Sequence, residues 1–106
     1  MHLRKFVFAG IILLVACQPK KIPADILPPG KMTEIITDLQ LADAAYKLQM
    51  LPPAYKDQPT KYFVEILATH QTDSVTYNKS MLYYAENPKL LQIIYKGVEK
   101  NVQEAQ

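Results

Sequence analysis

The sequence predicts an all-α fold, a small bundle of about four short helices behind a leader and a proline-rich tether. Three observations predict it. From Met32 onward, apolar residues recur at three- and four-residue spacing, and no stretch alternates with period two. All eight prolines lie outside these periodic stretches or at their edges, where a missing N–H breaks no helical bond. Seven tyrosines, no tryptophan and only three glycines speak against a Gly-rich or all-β scaffold. With 106 residues there is room for one domain.

The first helix is predicted from about Lys31 to Met50, with Met32, Ile35, Ile36, Leu39, Tyr46 and Met50 on one face. Leu51-Pro52-Pro53 ends it. The second opens at Pro59, a favoured first-turn proline, and carries Phe63, Ile66, Leu67 and His70 on one side. Asp73 is a good N-cap for the third, which shows Tyr77, Ser80, Met81 and Tyr84 at i, i+3, i+4, i+7. Asn87-Pro88 stops that helix and starts the fourth, with Asn as cap and Pro at the first position. Leu91, Ile94, Tyr95, Val98 and Val102 continue the pattern. Helices this short are marginal alone, so packing of their stripes must hold them.

The leader occupies residues 1–16. Met1 to Lys5 is basic, and Phe6 to Val15 is uncharged and apolar, too short for the ~20 residues that span a bilayer and suited to a secretory signal. Leu14-Val15-Ala16-Cys17 resembles the bacterial lipobox. That resemblance implies cleavage before Cys17, a diacylglyceryl group on its sulfur and acylation of the new amine. A secreted protein with a chance cysteine, or a short membrane anchor, are the plainer alternatives. Cys17 is the single cysteine, so no internal disulfide forms. Lipid on Cys17 makes the membrane the first expected partner: one acyl chain binds marginally, at ~0.8 kcal/mol per buried methylene, and several bind durably.

Gln18 to Pro29 holds Pro19, Pro23, Pro28 and Pro29 and reads as a tether, ~35 Å long if extended at ~3.1 Å per residue. The helical domain is assigned to 30–106. Lys20 and Lys21 stand next to the acylated cysteine, where each adds ~1 kcal/mol of attraction to an anionic surface or is simply solvated. Asp after the cysteine resembles an inner-membrane retention signal, and Gln18 is not that. The basic Gln18-Pro19-Lys20-Lys21 also lacks an acidic surface-export tag. The expected address is the periplasm-facing leaflet of the outer membrane, with the inner membrane second.

The whole chain has 12 Lys/Arg and 10 Asp/Glu. Removing Arg4 and Lys5 with the leader leaves equal numbers, 10 of each. A nucleic-acid binder normally carries a basic excess, so no nucleic-acid partner is expected.

The C-terminal half, with His70, Tyr77, Ser80-Met81, Tyr83-Tyr84, Asn87-Pro88, Leu91, Ile94-Tyr95 and Val98, resembles the signature of a bacterial lipoprotein family catalogued as domain of unknown function 4296. The N-terminal half, LPPGKMTEIITDLQLADAAY, is similar to that family's opening. Gln71 stands where the family pattern has glycine, Thr72 where it has a hydrophobic residue and Asp43 where it has glutamate. The resemblance implies a small helical lipoprotein and brings no assigned activity.

Asp43 falls in the middle of the first helix's apolar stripe and is expected buried, with its carboxylate accepting bonds from tyrosine hydroxyls, a helix N-terminus or His70, since an unpaired buried charge is costly. An acid awaiting a ligand is the functional alternative. Asp38 is expected on a different, solvated face. His70, the only histidine after the leader, is expected on the apolar side at the end of the second helix and is the second buried polar candidate beside Asp43. One histidine and no free cysteine do not make a zinc site, and no metal or cofactor is expected. Neither Ser74 nor Ser80 sits in a nucleophile elbow; Ser80 and Gly97 read as close helix approaches. Leu41, Ala44, Ala45 and Leu48 form a second apolar line on the first helix, which is central in the fold or faces a partner. With Tyr83 as the best exposed aromatic, Leu41, Leu48 and Tyr83 form the candidate partner face. The reading is a non-catalytic interaction or accessory module that binds another envelope protein. The alternative is a carrier for an apolar ligand.

Overall fold

The computed structural model describes residues 21–55 and 57–105. The leader, Cys17 and Lys20 lie outside the described residues. Among the described residues the chain is all-α, with four helices and no strand. They are α1 Pro29–Lys47, α2 Pro59–Thr69, α3 Ser74–Ala85 and α4 Pro88–Glu104, with a 3-10 turn at Pro53–Tyr55 between the first two.

Three of the four helices open on a proline: Pro29, Pro59 and Pro88. The preset φ of proline suits the first turn, where no intrahelical donor is needed. α3 opens instead on Asp73, whose carboxylate accepts the Thr76 N–H at 2.8 Å. Asn87 differs from expectation. Its side chain makes no cap bond to α4 and instead donates to the Tyr83 carbonyl at 2.7 Å, closing the end of α3.

Two helices end alike, on a residue in the left-handed region. At the end of α1, Gln49 has φ 56°, with bonds from Gln49 N–H to Tyr46 O and from Met50 N–H to Ala45 O. At the end of α2, Gln71 has φ 58°, with Gln71 N–H to Ala68 O and Thr72 N–H to Leu67 O. Both are Schellman motifs, which satisfy two of the last carbonyls. The first explains why α1 stops at Lys47, before the proline pair. Glutamine carries no sequence signal for that conformation.

The principal core cluster holds Ile26, Met32, Ile36, Tyr84, Ile94 and Val98. Each fully buried side chain of this size contributes ~1.5–3 kcal/mol. α1 is the central element, packed on α4 and on α2. It approaches α4 closely where a Cβ on Gly97 would lie 2.8 Å from Thr33 Cγ2. One turn on, Asn101 donates to Thr37 Oγ1 at 3.3 Å. The two pairings advance together along both chains, so α1 and α4 run side by side in the same direction. α4 stops at Glu104. Past about Leu41, α1 therefore has no α4 beside it.

That geometry overturns two expectations. The stripe on α1 is buried only at Met32, Ile35, Ile36 and Thr37; Leu39 and Tyr46 are half-buried and Met50 is exposed. Tyr95, expected on the inner stripe of α4, is exposed.

The tether is also shorter than expected, because part of it belongs to the fold. Ile26 is 7% exposed in the core, and Ile22 and Leu27 pack against it. Ser80 Oγ accepts the Leu27 N–H at 2.9 Å, and the Tyr84 hydroxyl donates to the Leu27 carbonyl at 2.7 Å. Lys79 pairs with Asp25. Residues 22–28 are a strap across α3. Ser80, read as a spacer between helices, is the strap's anchor point.

Candidate functional site

A cleft of about 550 Å³ lies between the end of α1 and the loop that carries the 3-10 turn toward α2. Tyr46, Lys47, Gln49, Leu51, Pro53, Tyr55 and Asp57 line it. It exists because α1 outruns its α4 neighbour. The chain then reverses through two left-handed residues, Gln49 and Asp57 (φ 60°), which open the loop away from the helix.

Beside the cleft, the Tyr46 and Tyr62 rings stack at 5.8 Å, tilted by 43°. The Tyr62 hydroxyl points at Asp43 Oδ1 from 3.5 Å, at the weak limit of a hydrogen bond. Burial, followed by the Asp43 charge, pushes the Tyr62 phenol above its ordinary value. Tyr55 is pushed up as well, chiefly by its hydrogen bond to Glu65. Both phenols therefore stay protonated donors at neutral pH. Leu48 and Met50, at 70% and 72% exposure, stand at the same end of the molecule. The rim thus mixes phenol donors, one ion pair and bare aliphatic surface.

Asp43 is not buried. Its side chain is 50% exposed and pairs with Lys47 at 3.0 Å, since this turn of α1 lies beyond the end of α4. Its closest phenol, Tyr62, supplies only the long contact above, and His70 does not reach it.

His70 is instead drawn to the carboxylate that was expected to stand alone in solvent. His70 Nε2 lies 2.6 Å from Asp38 Oδ2 and Nδ1 lies 4.0 Å from Glu34 Oε2, with the imidazole side chain only 13% exposed. This cluster clasps the end of α2 to the middle of α1. Sequence reasoning missed it: Glu34 and Asp38 stand one turn apart on α1, but nothing local says that α2 returns to lay His70 beside them. Among the described residues, no group of three or more His, Cys, Asp or Glu is arranged to hold a metal ion.

Of the three residues of the expected partner face, one is exposed and two are half-buried. Leu48 is exposed. Leu41 is half-buried. Tyr83 is half-buried as well, edge-on to Tyr84 at 5.1 Å and packed on the core. Among the described residues, no helix is long and apolar enough to cross a membrane.

Residues 23–106 match the family model of a domain of unknown function, DUF4296. The chain belongs to this family. The match begins at Pro23, within the strap, so the DUF4296 unit takes in the segment that packs on α3 as well as the four helices. No curated protein matches the chain, and no solved structure does.

Proposed function

We propose that this DUF4296 chain is a lipid-anchored envelope protein that acts as a non-catalytic adaptor, held at Cys17 and binding a partner protein at the α1–α2 end. The observation that carries the reading is the separation of root and binding surface along one helix. The strap enters α1 at Pro29, and the cleft opens at Tyr46 and Lys47. The 19 residues of α1 span ~28 Å. A domain rooted at one end therefore presents its phenols, Leu48 and Met50 at the other. The leader and the lipobox-like Leu14-Val15-Ala16-Cys17 support the anchor, and Gln18 supports the periplasm-facing leaflet of the outer membrane.

The test is crosslinking of the acylated protein in cell envelopes from position 48, compared with the exposed Ile93 on α4. A discrete adduct from position 48, lost on Met50→Asp, is the expected result. Equal, diffuse labelling from both positions refutes the adaptor. The size of the cleft lies within the ~300–1,000 Å³ of small-molecule sites, which favours a second reading as a carrier. Native mass spectrometry of the protein purified from cells then shows a retained small molecule, lost on substitution of Tyr46.

A further inference from the structure

We infer that the outer face of α3, bearing Val75, Lys79 and Leu82, lies against the lipid headgroups. This rests on the anchoring of Cys17 proposed above and specifies how the domain sits on the membrane. From Cys17 to Ile22 the chain advances five residues, which cannot reach beyond ~18 Å even fully extended. Ile22 already packs on the core. That reach is under two helix diameters of ~10–12 Å, so the surface around the root of the strap is held within that distance of the bilayer and is the first to meet it.

The strap itself says which surface that is. Asp25 pairs with the exposed Lys79 on the outer side of α3, while Leu27 is bonded to Ser80 and Tyr84 on its buried side, so the strap wraps around this helix. Val75, Lys79 and Leu82 follow one another at i, i+4, i+7 and so share one face of that helix. Val75 is 75% exposed and Leu82 70% exposed, two aliphatic side chains left in water beside the anchor root. Lys79, with a side chain 56% exposed, lies between them and pairs with Asp25, and the exposed Lys21 precedes Asp25 in the strap's approach. Apolar side chains flanked by lysines suit the boundary between headgroups and acyl chains, where such faces bury ~5–10 Å deep. The occupant is the bilayer surface, and the α1–α2 cleft is left free.

The full-length acylated protein is reconstituted into phosphatidylcholine–phosphatidylglycerol vesicles. A single cysteine, Leu82→Cys or Leu48→Cys, carries an environment-sensitive fluorophore, and Cys17 does not compete because its sulfur is acylated. Lipids with a nitroxide headgroup should quench the label at 82 and leave the label at 48 bright. Inserting about ten Gly/Ser residues after Lys21, a flexible extension, should remove the quenching at 82 while the protein still floats with the vesicles. Equal quenching at both positions, or a label at 82 left as bright as the label at 48, overturns the inference; quenching at 82 that survives the insertion shows that the face holds the bilayer by its own chemistry and supports it. Failure of the wild-type protein to float, with Cys17 unmodified by mass, overturns the anchor reading itself.

Discussion

Gly97→Ala is the substitution whose outcome the structure decides against propensity. Gly97 lies in the interior of α4, where replacement of glycine by alanine gains ~1 kcal/mol. On that ground alone the variant should be more stable. The new Cβ, however, would sit 2.8 Å from Thr33 Cγ2, 3.5 Å from Thr33 Oγ1 and 3.8 Å from Thr33 Cβ. Carbon pairs are comfortable at ~3.5–4.0 Å, so the methyl intrudes by about 0.7 Å. Thr33 does not step aside freely. It is β-branched and stiff at χ1, and its hydroxyl donates to the Pro29 carbonyl at 2.9 Å. Overpacking of this kind costs ~1–3 kcal/mol, which leaves a net loss of ~1 kcal/mol after the propensity gain. For a domain of this length that is ~4–8 °C in Tm. Thr33→Ser removes Cγ2 and keeps the hydroxyl. In that background Gly97→Ala should stabilise by ~1 kcal/mol, a change of sign that a double-mutant cycle reads as ~2 kcal/mol of coupling. Urea unfolding followed by helical circular dichroism measures all four variants. If Gly97→Ala stabilises the wild-type background, or if Thr33→Ser leaves its sign unchanged, the close approach of α1 and α4 is not at this pair.

Ser80→Ala deprives the part-buried Leu27 N–H of its acceptor and should cost ~1–3 kcal/mol, with hydrogen exchange at Leu27 rising more than exchange within α4. Gln71→Gly relieves a left-handed residue, a conformation that costs an L-residue ~1–2 kcal/mol, and should raise Tm; a fall would count against the Schellman turn. Asp43→Ala removes only a half-exposed ion pair and should change stability by less than ~1 kcal/mol; a loss of several kcal/mol in urea unfolding would restore the buried carboxylate. Asp73 is held below the usual carboxylate range, first by the backbone Thr76 N–H. Its capping contribution is therefore complete above the unfolded value of ~3.9 and is lost as pH falls through the lower folded value. Asp73→Asn keeps an acceptor that does not titrate, so acid unfolding of that variant should show a weaker pH dependence than the wild type in this window.

Local chemistry was written in the chain and could be read there. Proline at positions 29, 59 and 88 and aspartate at 73 act within one turn of themselves, so helix starts need no knowledge of the rest of the molecule. The inner stripes of α2 and α3 were equally legible: Phe63, Ile66, Leu67 and His70 on the first and Tyr77, Ser80, Met81 and Tyr84 on the second are each buried or half-buried. Gly97 was legible too, since a glycine inside a helix needs a neighbour that forbids a side chain.

Tertiary structure decided whatever depended on where a neighbour ends. Periodicity states which side chains share a face; it does not state how far the covering helix extends. α1 and α4 run parallel, and α4 stops one turn beyond Asn101, so the same stripe is core at Ile36 and solvent-facing at Met50. Asp43 changes from a buried charge to a surface ion pair for that reason alone. His70 finds Asp38 because α2 folds back onto the middle of α1, a register no local pattern encodes. The strap was hidden by its prolines, which signal extended backbone but say nothing about whether that backbone is packed. Burial is a property of pairs of segments, and a single segment carries only its half of it.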